Sequence, residues 1–246
     1  MTAAAVALAS ATYQRNLVWK DPVAIWTDTV RKSPLKARSH YNLANVLAEA
    51  GRLDDALKHN LETVRLAPRY PNSYFNIAAI YHVTGDLDQA RTWYERAIEL
   101  DPASVKGHNN LGYLYYNLGM FDEAMAEYKT VLSIDPRMVK AYVNRGRIYR
   151  DQGRLDEAMA EYRRALRIMP DFPLAHYAMG DALMRKGEAS EAVERFTEAL
   201  RLDPGLAEAY LGIAGAYRAL GRFEEAARMR RRALELDPGL AGAEPY

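Results

Sequence analysis

The 246-residue sequence contains no cysteine, which excludes disulfides, thiol nucleophiles and cysteine-ligated zinc. It also lacks an excess of either charge, because 33 Lys and Arg residues face 32 Asp and Glu residues, for a formal net charge of +1. Proteins that bind nucleic acid by general charge attraction are normally far more basic. We therefore predict no nucleic-acid partner.

Long apolar runs are also scarce. The most apolar stretch is the N-terminal MTAAAVALASA, which is about half of the ~20 residues that span a bilayer and has no basic residues before it. Hydrophobic residues nevertheless make up 49% of the chain and charged residues 26%. This composition predicts a packed core and excludes wholesale disorder.

The dominant feature of the sequence is a period of 34 residues. It is carried in phase by glycine, alanine and proline, at Gly51, Gly85, Gly119, Gly153, Gly187 and Gly221, at Ala56, Ala90, Ala124, Ala158, Ala192 and Ala226, and at Pro68, Pro102, Pro136, Pro170, Pro204 and Pro238. A fixed period of this length indicates a stacked array. We predict six units, at residues 37–70, 71–104, 105–138, 139–172, 173–206 and 207–240.

One unit, residues 71–104, illustrates the physical pattern. Apolar residues at three-to-four spacing predict a helix over residues 72–84. Gly85 can adopt the left-handed conformation that ends this helix. A second helix is predicted from Leu87 to Leu100, and Asp101 and Pro102 end it. Each unit is thus predicted to be a pair of helices joined by a glycine turn.

This pattern resembles the tetratricopeptide repeat (TPR) family, whose consensus is similar to YFNIAAIYHVTGDLDQARTWYERAIELDP. The resemblance covers Ala37 to Leu240. It implies an all-α solenoid, a right-handed superhelix of antiparallel helix pairs whose first helices line a concave groove. Small residues in the first helices would let paired helices approach closely, at Ala44, Ala78, Gly112, Gly146, Gly180 and Ala214.

The two ends of the array differ from the repeats. Asp21 and Pro22 predict a helix start, and Trp26 and Val30 lie in the register of a second helix. Residues 1–36 are therefore interpreted as a degenerate N-terminal helix pair, or as a membrane-span stub followed by a half repeat. The stub interpretation rests on a resemblance of YQRNLVWKDPVAIWTDTVRKSPLKARSHYNLA to the junction after the last span in multi-spanning TPR proteins related to transmembrane O-mannosyltransferases. Residues 241–246 are predicted to be a tail.

The sequence shows no catalytic, cofactor or metal motif. His40, His108 and His176 share one repeat position, which predicts packing or hydrogen bonding, and no histidine pair has metal-ligand spacing. Glycine-rich phosphate motifs are absent too. Acidic pairs such as Asp54/Asp55 and Asp122/Glu123 begin second helices, where we expect them to cap free N–H groups and complement the helix dipole. We predict a protein that is not an enzyme and has no cofactor.

Function is then expected on the groove formed by the first helices. Asparagine recurs there every 34 residues, at Asn42, Asn76, Asn110 and Asn144. One interpretation is a local hydrogen bond that fixes helix geometry. The other is a ladder of amides that holds the backbone of an extended peptide, as implied by the similar TPR superhelix of O-GlcNAc transferase. A primary amide suits that task because it donates and accepts hydrogen bonds.

The neighbouring groove positions differ between the two halves of the array. The first half offers aromatic and amide groups, and the second offers basic ones, at Tyr41, Asn45, Phe75 and Tyr113, and at Lys140, Arg147 and Arg150. We expect aromatic contacts for one end of a ligand and a preference for acidic residues at the other. The alternative is that the tyrosines pack between repeats and the charges are solvated.

The leading hypothesis is a non-enzymatic protein-interaction scaffold that binds an extended peptide segment in its concave groove. The alternative is the substrate-presenting TPR part of a membrane-embedded glycosyltransferase-like protein, attached to the membrane through sequence upstream of Met1. A third hypothesis is self-association through the apolar N-terminal helix, because array ends leave apolar faces uncovered. The sequence indicates no particular compartment.

Overall fold

A computed structural model describes residues 21–242 of the chain. This part contains thirteen α-helices and no strand. The helices are α1 (Pro22–Lys32), α2 (Ala37–Glu49), α3 (Leu53–Leu66), α4 (Pro71–Thr84), α5 (Leu87–Leu100), α6 (Val105–Asn117), α7 (Phe121–Ile134), α8 (Val139–Asp151), α9 (Leu155–Ile168), α10 (Pro173–Lys186), α11 (Ala189–Leu202), α12 (Ala207–Ala219) and α13 (Phe223–Leu236). A 3₁₀ turn, Pro238–Gly242, follows α13.

Glycine and proline set the helix bounds as the sequence predicts. Helix α4 ends at Gly85, whose φ of 88° lies in the left-handed region, and α5 runs from Leu87 to Leu100. The six turn glycines all have φ between 72° and 88°. The predicted helix start at Asp21 is confirmed too, because its Oδ1 accepts a hydrogen bond of 2.9 Å from the Val23 N–H, and Pro22 is the first residue of α1.

The chain forms two compact units, Met1–Leu114 and Tyr115–Tyr246. In the first unit, α1 packs on α2, and Trp26 and Val30 lie against a buried cluster that includes Leu43, Leu47 and Ile80. In the second unit, the core between Val139 and Ile213 is built around Tyr162 and Phe196, both with no exposed surface. The predicted helix over Ala3–Trp19, the span stub and the last four residues of the tail lie outside the described residues.

In four of the six repeats, one aromatic residue fills the interior at the same position. We call these residues, which lie on α5, α7, α9 and α11, the aromatic column: Tyr94, Tyr128, Tyr162 and Phe196. The small residues of the first helices make room for them. A Cβ atom on Gly146 would lie 2.3 Å from the Tyr162 ring, and one on Gly180 would lie 2.7 Å from the Phe196 ring. The predicted close approach of paired helices therefore occurs against an aromatic ring.

The repeated histidines tie each first helix to the turn before it. His40, His108 and His176 each place Nε2 within 2.8–3.1 Å of a proline carbonyl six residues earlier in the chain. Tyr74 and Tyr142 occupy the same position in other repeats, and their hydroxyls donate to the carbonyls of Pro68 and Pro136. The predicted packing and hydrogen-bonding role of these histidines is confirmed.

One prediction about the second helices is confirmed for the helix dipole and wrong for capping. Their first-turn carboxylates lie near the positive end of the helix dipole, but the structure records a side-chain N-cap bond on these helices only at Asp86 of α5. At α3, by contrast, Asp55 pairs with Arg52 at 2.7 Å. The guanidinium three residues earlier is a stronger partner for the carboxylate than a neutral backbone N–H. The same pairing joins Arg154 to Glu157 and Arg222 to Glu225.

Among residues 21–242, no helix combines the length and the apolar character needed to cross a bilayer.

Candidate functional site

The four asparagines that recur every 34 residues, and that the sequence predicts to form a ladder in the groove, have different surroundings. All four amides are half-buried on the first helices. Asn110 is bonded to the Tyr94 hydroxyl, which lies on the preceding second helix. Burial raises the pKa of Tyr94 to about 12, and the hydrogen bond to Asn110 opposes that rise. Asn110 therefore satisfies a buried polar group, as the local hydrogen-bond interpretation requires.

Asn76 belongs to a cluster of three amides in the first unit. Its Nδ2 donates to Asn45 Oδ1 at 2.7 Å and lies 3.5 Å from Asn60 Oδ1. Asn60 is buried on α3, and its own Nδ2 donates to the Ala56 carbonyl at 3.0 Å. Asn45 Nδ2 and Asn76 Oδ1 have no hydrogen-bond partner within residues 21–242, so one donor and one acceptor of this pair are available.

Asn60 is the residue that sequence reasoning missed. It lies 34 residues before Tyr94, at the position where the next four repeats carry the aromatic column. An asparagine side chain is much smaller than a tyrosine ring, so space is left between α2, α3 and α4. The break in the aromatic series is visible in the sequence, but its consequence depends on which neighbouring side chains face the vacated volume.

A cavity of about 300 Å³ occupies this region. We call it the amide cavity. It is lined by residues of the two adjacent first helices and of α3 between them, namely Asn45, Ala48, Glu49, Leu53, Asn60, Asn76, Ala79, Ile80 and Val83. Val83 is 76% exposed, an unusual value for a large apolar side chain. The cavity thus combines free amide groups with an apolar wall that is open to solvent.

The aromatic residues predicted for the first half have separate environments. Phe75 requires a correction, because it is only 3% exposed and packs where a Cβ atom on Gly107 would approach its ring to 2.5 Å. It is a core residue and does not face the groove. Tyr41 contacts the Tyr70 ring at a centroid distance of 5.1 Å. Tyr113 is 40% exposed and lies beside His82 at 5.7 Å, so it is the most accessible of the predicted aromatics.

The basic residues predicted for the second half are not equally free. Arg150 lies 2.6 Å from Asp181 and 2.8 Å from Asp151, and only 12% of its side chain is exposed. Burial acts to lower the pKa of Arg150, but Asp181 and Asp151 outweigh it and hold that pKa above its usual value. The charge of Arg150 is therefore neutralised within the protein, and it is not available to attract an acidic ligand.

The remaining basic positions of that surface are Arg147 and Lys140, two turns apart on α8. The Arg147 guanidinium lies over the Tyr116 ring at 5.2 Å. The Tyr116 hydroxyl donates to Asp151 Oδ2 at 2.6 Å, and burial together with this bond raises the pKa of Tyr116. Lys140 is exposed. Asn144 lies between them on α8, and neither its amide nor that of Asn42 forms a hydrogen bond within the described chain.

The described side chains offer little for catalysis or metal binding. No group of three or more histidine, aspartate or glutamate side chains in residues 21–242 is arranged to hold a metal ion. The buried acid Asp181 is committed to Arg150, and the buried acid Glu161 contacts Arg164 at 2.7 Å. What this arrangement can do chemically is hydrogen bonding and apolar contact along the first helices.

Similar solved structures share this architecture at low sequence identity. One is the crystal structure of the APC/C hetero-tetramer Cut9–Hcn1, which matches with a TM-score of 0.76 and 17% identity. The match covers 87% of this chain and 42% of that chain. PilW, a type IV pilus biogenesis factor, matches with a TM-score of 0.73 and 23% identity over 84% of this chain and 95% of its own. YrrB, a TPR protein described as having an unusual peptide-binding site, matches with a TM-score of 0.50 and 21% identity over 73% of this chain and 92% of its own. At these identities the matches show the fold alone.

No curated protein is significantly similar to this chain. Sequence models of one repeat family, however, match most of it. A model described as TPR repeat matches residues 80–119 and 146–187, and three described as tetratricopeptide repeat match residues 23–71, 105–138 and 183–243. Proteins of this fold are typically non-enzymatic scaffolds for protein–protein interaction. With a 34-residue period, glycine turns and paired helices in all of these segments, the chain belongs to the tetratricopeptide repeat family.

Proposed function

We propose that this protein is a non-enzymatic scaffold that binds an extended segment of another protein along its first helices. The observation that supports this proposal most directly is the amide cavity of the first unit. It lies between two consecutive first helices, and its amide pair keeps a donor and an acceptor available. A peptide group carries one N–H and one C=O, so it complements both.

The chemistry of the amide cavity favours an extended backbone over a compact ligand. Asn45 Nδ2 can donate to a peptide carbonyl while Asn76 Oδ1 accepts from a peptide N–H, whatever side chain follows. Each such bond contributes about 0.5–1.5 kcal/mol net, so affinity is modest and tolerant of sequence. The exposed Val83 and the partly buried Leu53 add apolar contact for one side chain of the bound segment.

The second unit contributes a different preference in this proposal. Arg150 is neutralised, which leaves Lys140 and Arg147 on α8 to contact acidic residues of a ligand. Two exposed or half-exposed cations add little affinity in water but orient a charged segment. We therefore keep an acidic stretch as part of the proposed partner, with fewer basic contacts than the sequence alone predicts.

A blocking substitution gives a sharp test of groove binding. Asn60→Tyr gives the first repeat the residue type that the second repeat has at the same position, Tyr94. The new hydroxyl can bond to Asn76, as the Tyr94 hydroxyl bonds to Asn110. Filling a cavity commonly stabilises a protein by about 0.5–2 kcal/mol. We expect a higher unfolding temperature together with at least tenfold weaker binding of peptides selected on the wild-type protein from a random display library.

The matched control is Thr92→Ala, an exposed position on the second helix α5. Peptides selected on the wild type should bind this variant with unchanged affinity. If the peptides bind Asn60→Tyr as tightly as the wild type, the amide cavity is not the binding site. If the library yields no binder at all, groove binding itself is contradicted. Because Asn60→Tyr is expected to stabilise the fold, a loss of binding cannot be ascribed to unfolding.

The alternative function, presentation of substrates to a membrane-embedded glycosyltransferase-like enzyme, stays a prediction. It depends on the N-terminal resemblance, and the span stub that this resemblance implies lies before Asp21, outside the described residues. Fractionation of cells that express the complete gene is the deciding measurement, because an enzyme part upstream of Met1 would place the product in the membrane fraction. Self-association through the apolar N-terminal helix likewise stays a prediction, and light scattering of the chain with and without residues 1–18 tests it.

A further inference from the structure

Half of the arginines on the second helices share one pairing pattern, which we call the pairing rule. Six of the twelve contact a carboxylate three residues away on the same helix, at 2.6–3.2 Å. These pairs are Arg65–Glu62, Arg91–Asp88, Arg96–Glu99, Arg164–Glu161, Arg201–Glu198 and Arg232–Glu235. The second-helix surface is therefore close to neutral wherever this rule holds.

Three arginines of α9 and α11 depart from the rule, and all three line one cavity. Arg163 and Arg167 are one turn apart on α9, and Arg195 lies on α11. The cavity has a volume of about 310 Å³, and Leu166 and Met179 complete its lining. We call it the arginine cavity. Neither Arg163 nor Arg167 forms an ion pair within the described residues, whereas Arg195 lies 3.8 Å from Glu191.

A second observation, independent of the pairing rule, is that one hydrogen-bond donor of Arg195 is not satisfied. Its Nε is buried and has no hydrogen-bond partner in residues 21–242. A guanidinium N–H that is removed from water without a partner is unfavourable, and the cost is larger for a charged group than for a neutral one. Three like charges around one cavity also repel each other. Both costs disappear when an anion enters the cavity and accepts hydrogen bonds from these groups.

We propose that the arginine cavity binds a phosphoryl group carried on a serine or threonine side chain of a partner protein. Guanidinium groups present a planar fork of N–H donors that matches phosphate oxygens. Two carboxylates lie near the three cations: Glu191 is paired with Arg195, and Glu198, which also interacts with Arg195, is paired with Arg201. Arg163 and Arg167 thus leave two positive charges. A phosphoryl group carries about −1.5 to −2 at neutral pH and balances them, whereas a carboxylate leaves one charge uncompensated.

The other residues that line the arginine cavity indicate what kind of molecule carries the phosphoryl group. Leu166 and Met179 offer apolar contact for the methylene or methyl group of a short side chain. The lining contains no aromatic residue on which a nucleotide base could stack, which disfavours nucleotides as ligands. The cavity is built from α9, α10 and α11, and its residues are distinct from Lys140, Arg147 and the amide cavity. The inference therefore does not depend on the proposed groove binding.

The test is a titration of the whole protein with the peptide Ala-Ala-phosphoserine-Ala-Ala, blocked at both ends, and with its serine and glutamate counterparts. Binding is followed by the NMR signals of the arginine Nε–H groups. We expect the phosphopeptide to shift the Arg195 signal and to bind at least tenfold more tightly than the glutamate peptide. The serine peptide should produce no shift.

Variants with a matched control complete the experiment. Arg163→Gln combined with Arg167→Gln should weaken phosphopeptide binding at least tenfold. Arg201→Gln, on the same helix as Arg195 but already paired with Glu198, should leave it unchanged. Thermal unfolding verifies that each variant is folded. Equal binding of the phosphopeptide and serine peptides, no shift of Arg195, or an equal loss in Arg201→Gln would overturn the proposal. Inorganic phosphate that binds as tightly as the phosphopeptide would show an adventitious ion only, and this result would overturn the proposal as well.

Discussion

At the scale of single residues, the tyrosine hydroxyls of the aromatic column differ in whether they are satisfied. The Tyr94 hydroxyl is bonded to Asn110. The Tyr162 hydroxyl is buried without a hydrogen-bond partner in the described chain, and Ala178 occupies the repeat position that Asn110 has two repeats earlier. An unsatisfied buried hydroxyl costs about 1–3 kcal/mol. The same residue type therefore stabilises one repeat and destabilises another.

Removing each hydroxyl should change stability in opposite directions. Tyr162→Phe is expected to raise the free energy of unfolding by about 1 kcal/mol, because it deletes an unsatisfied group. Phe196 shows that a ring without a hydroxyl fits this column. Tyr94→Phe is expected to lower that free energy by about 0.5–1.5 kcal/mol, because Asn110 loses its partner. Urea unfolding of both variants measures the difference, and changes of the same sign would contradict this account.

The asparagine period shows what sequence reasoning can and cannot reach at this scale. The period itself is visible in the sequence, because each residue recurs at a fixed spacing. The partner of each amide is not, because it depends on the side chain of a neighbouring second helix. Asn110 meets a tyrosine hydroxyl, and Asn76 meets two other amides. The choice between a structural and a ligand-binding asparagine is therefore made repeat by repeat.

At the scale of helices, close packing of each pair depends on small residues opposite large rings. The Tyr162 ring fills the space beside Gly146, where a Cβ atom would lie 2.3 Å from it. Glycine normally weakens a helix interior by about 0.5–1 kcal/mol relative to alanine. Its presence at Gly146 is explained because the ring occupies the volume that a methyl group would need.

Gly146→Ala should therefore destabilise the protein despite the better helix propensity of alanine. We expect a loss of about 1–3 kcal/mol of unfolding free energy, since the ring must leave a well-packed position. Circular dichroism with denaturant gives the value. Combining Gly146→Ala with Tyr162→Leu removes the ring, so the double variant should lose less than the sum of the two single losses. Strict additivity of the two substitutions would show that the ring is not the cause.

Helix bounds were predictable from the sequence because they depend on local residues. Gly85, in the left-handed conformation, ends the first helix of its repeat. The second helix runs from Leu87 to Leu100 and ends before Asp101 and Pro102. The first-turn carboxylates were not predictable in the same way, because an N-terminal arginine competes for them, as Arg52 does for Asp55. The amide cavity escaped prediction for a related reason, since it is created by a residue that is missing from an otherwise regular column.

At the scale of the whole molecule, the first compact unit differs from the second because it contains two histidines in contact, His40 and His59. In the first unit, His40 Nδ1 and His59 Nδ1 lie 2.9 Å apart. His40 Nε2 must donate to the Pro34 carbonyl, so a neutral His40 accepts at Nδ1 and His59 donates from its own Nδ1. Burial lowers the pKa of His59, with a further contribution from the His40 charge. Nearby Asp55 and Glu62 oppose this shift, and Lys58 adds to it.

This pair should make the first unit the more sensitive to mild acid. A histidine whose folded pKa lies below 6.5 contributes stability that is fully present above pH 6.5 and is lost as the pH falls from there through the lower, folded pKa. Surface carboxylates such as Asp55 and Glu157 do not contribute in this pH range. Ion pairs hold their pKa values below the usual values, which are already acidic. We expect amide protection in α2 and α3 to be constant above about pH 6.5 and to fall as the pH is lowered below that value.

Hydrogen exchange, corrected for the intrinsic pH dependence of the rates, resolves the two units separately. Protection in α9 to α11 should be unchanged over the same interval, because stability in a repeat array is a sum of local and nearest-neighbour contributions. His59→Gln should flatten the pH dependence of α2 and α3, since glutamine does not titrate. Part of the pH dependence should stay in α4, where burial also lowers the pKa of His82. A parallel loss of protection in both units, or a pH dependence that persists in α2 and α3 of His59→Gln, would place the sensitivity elsewhere in the chain.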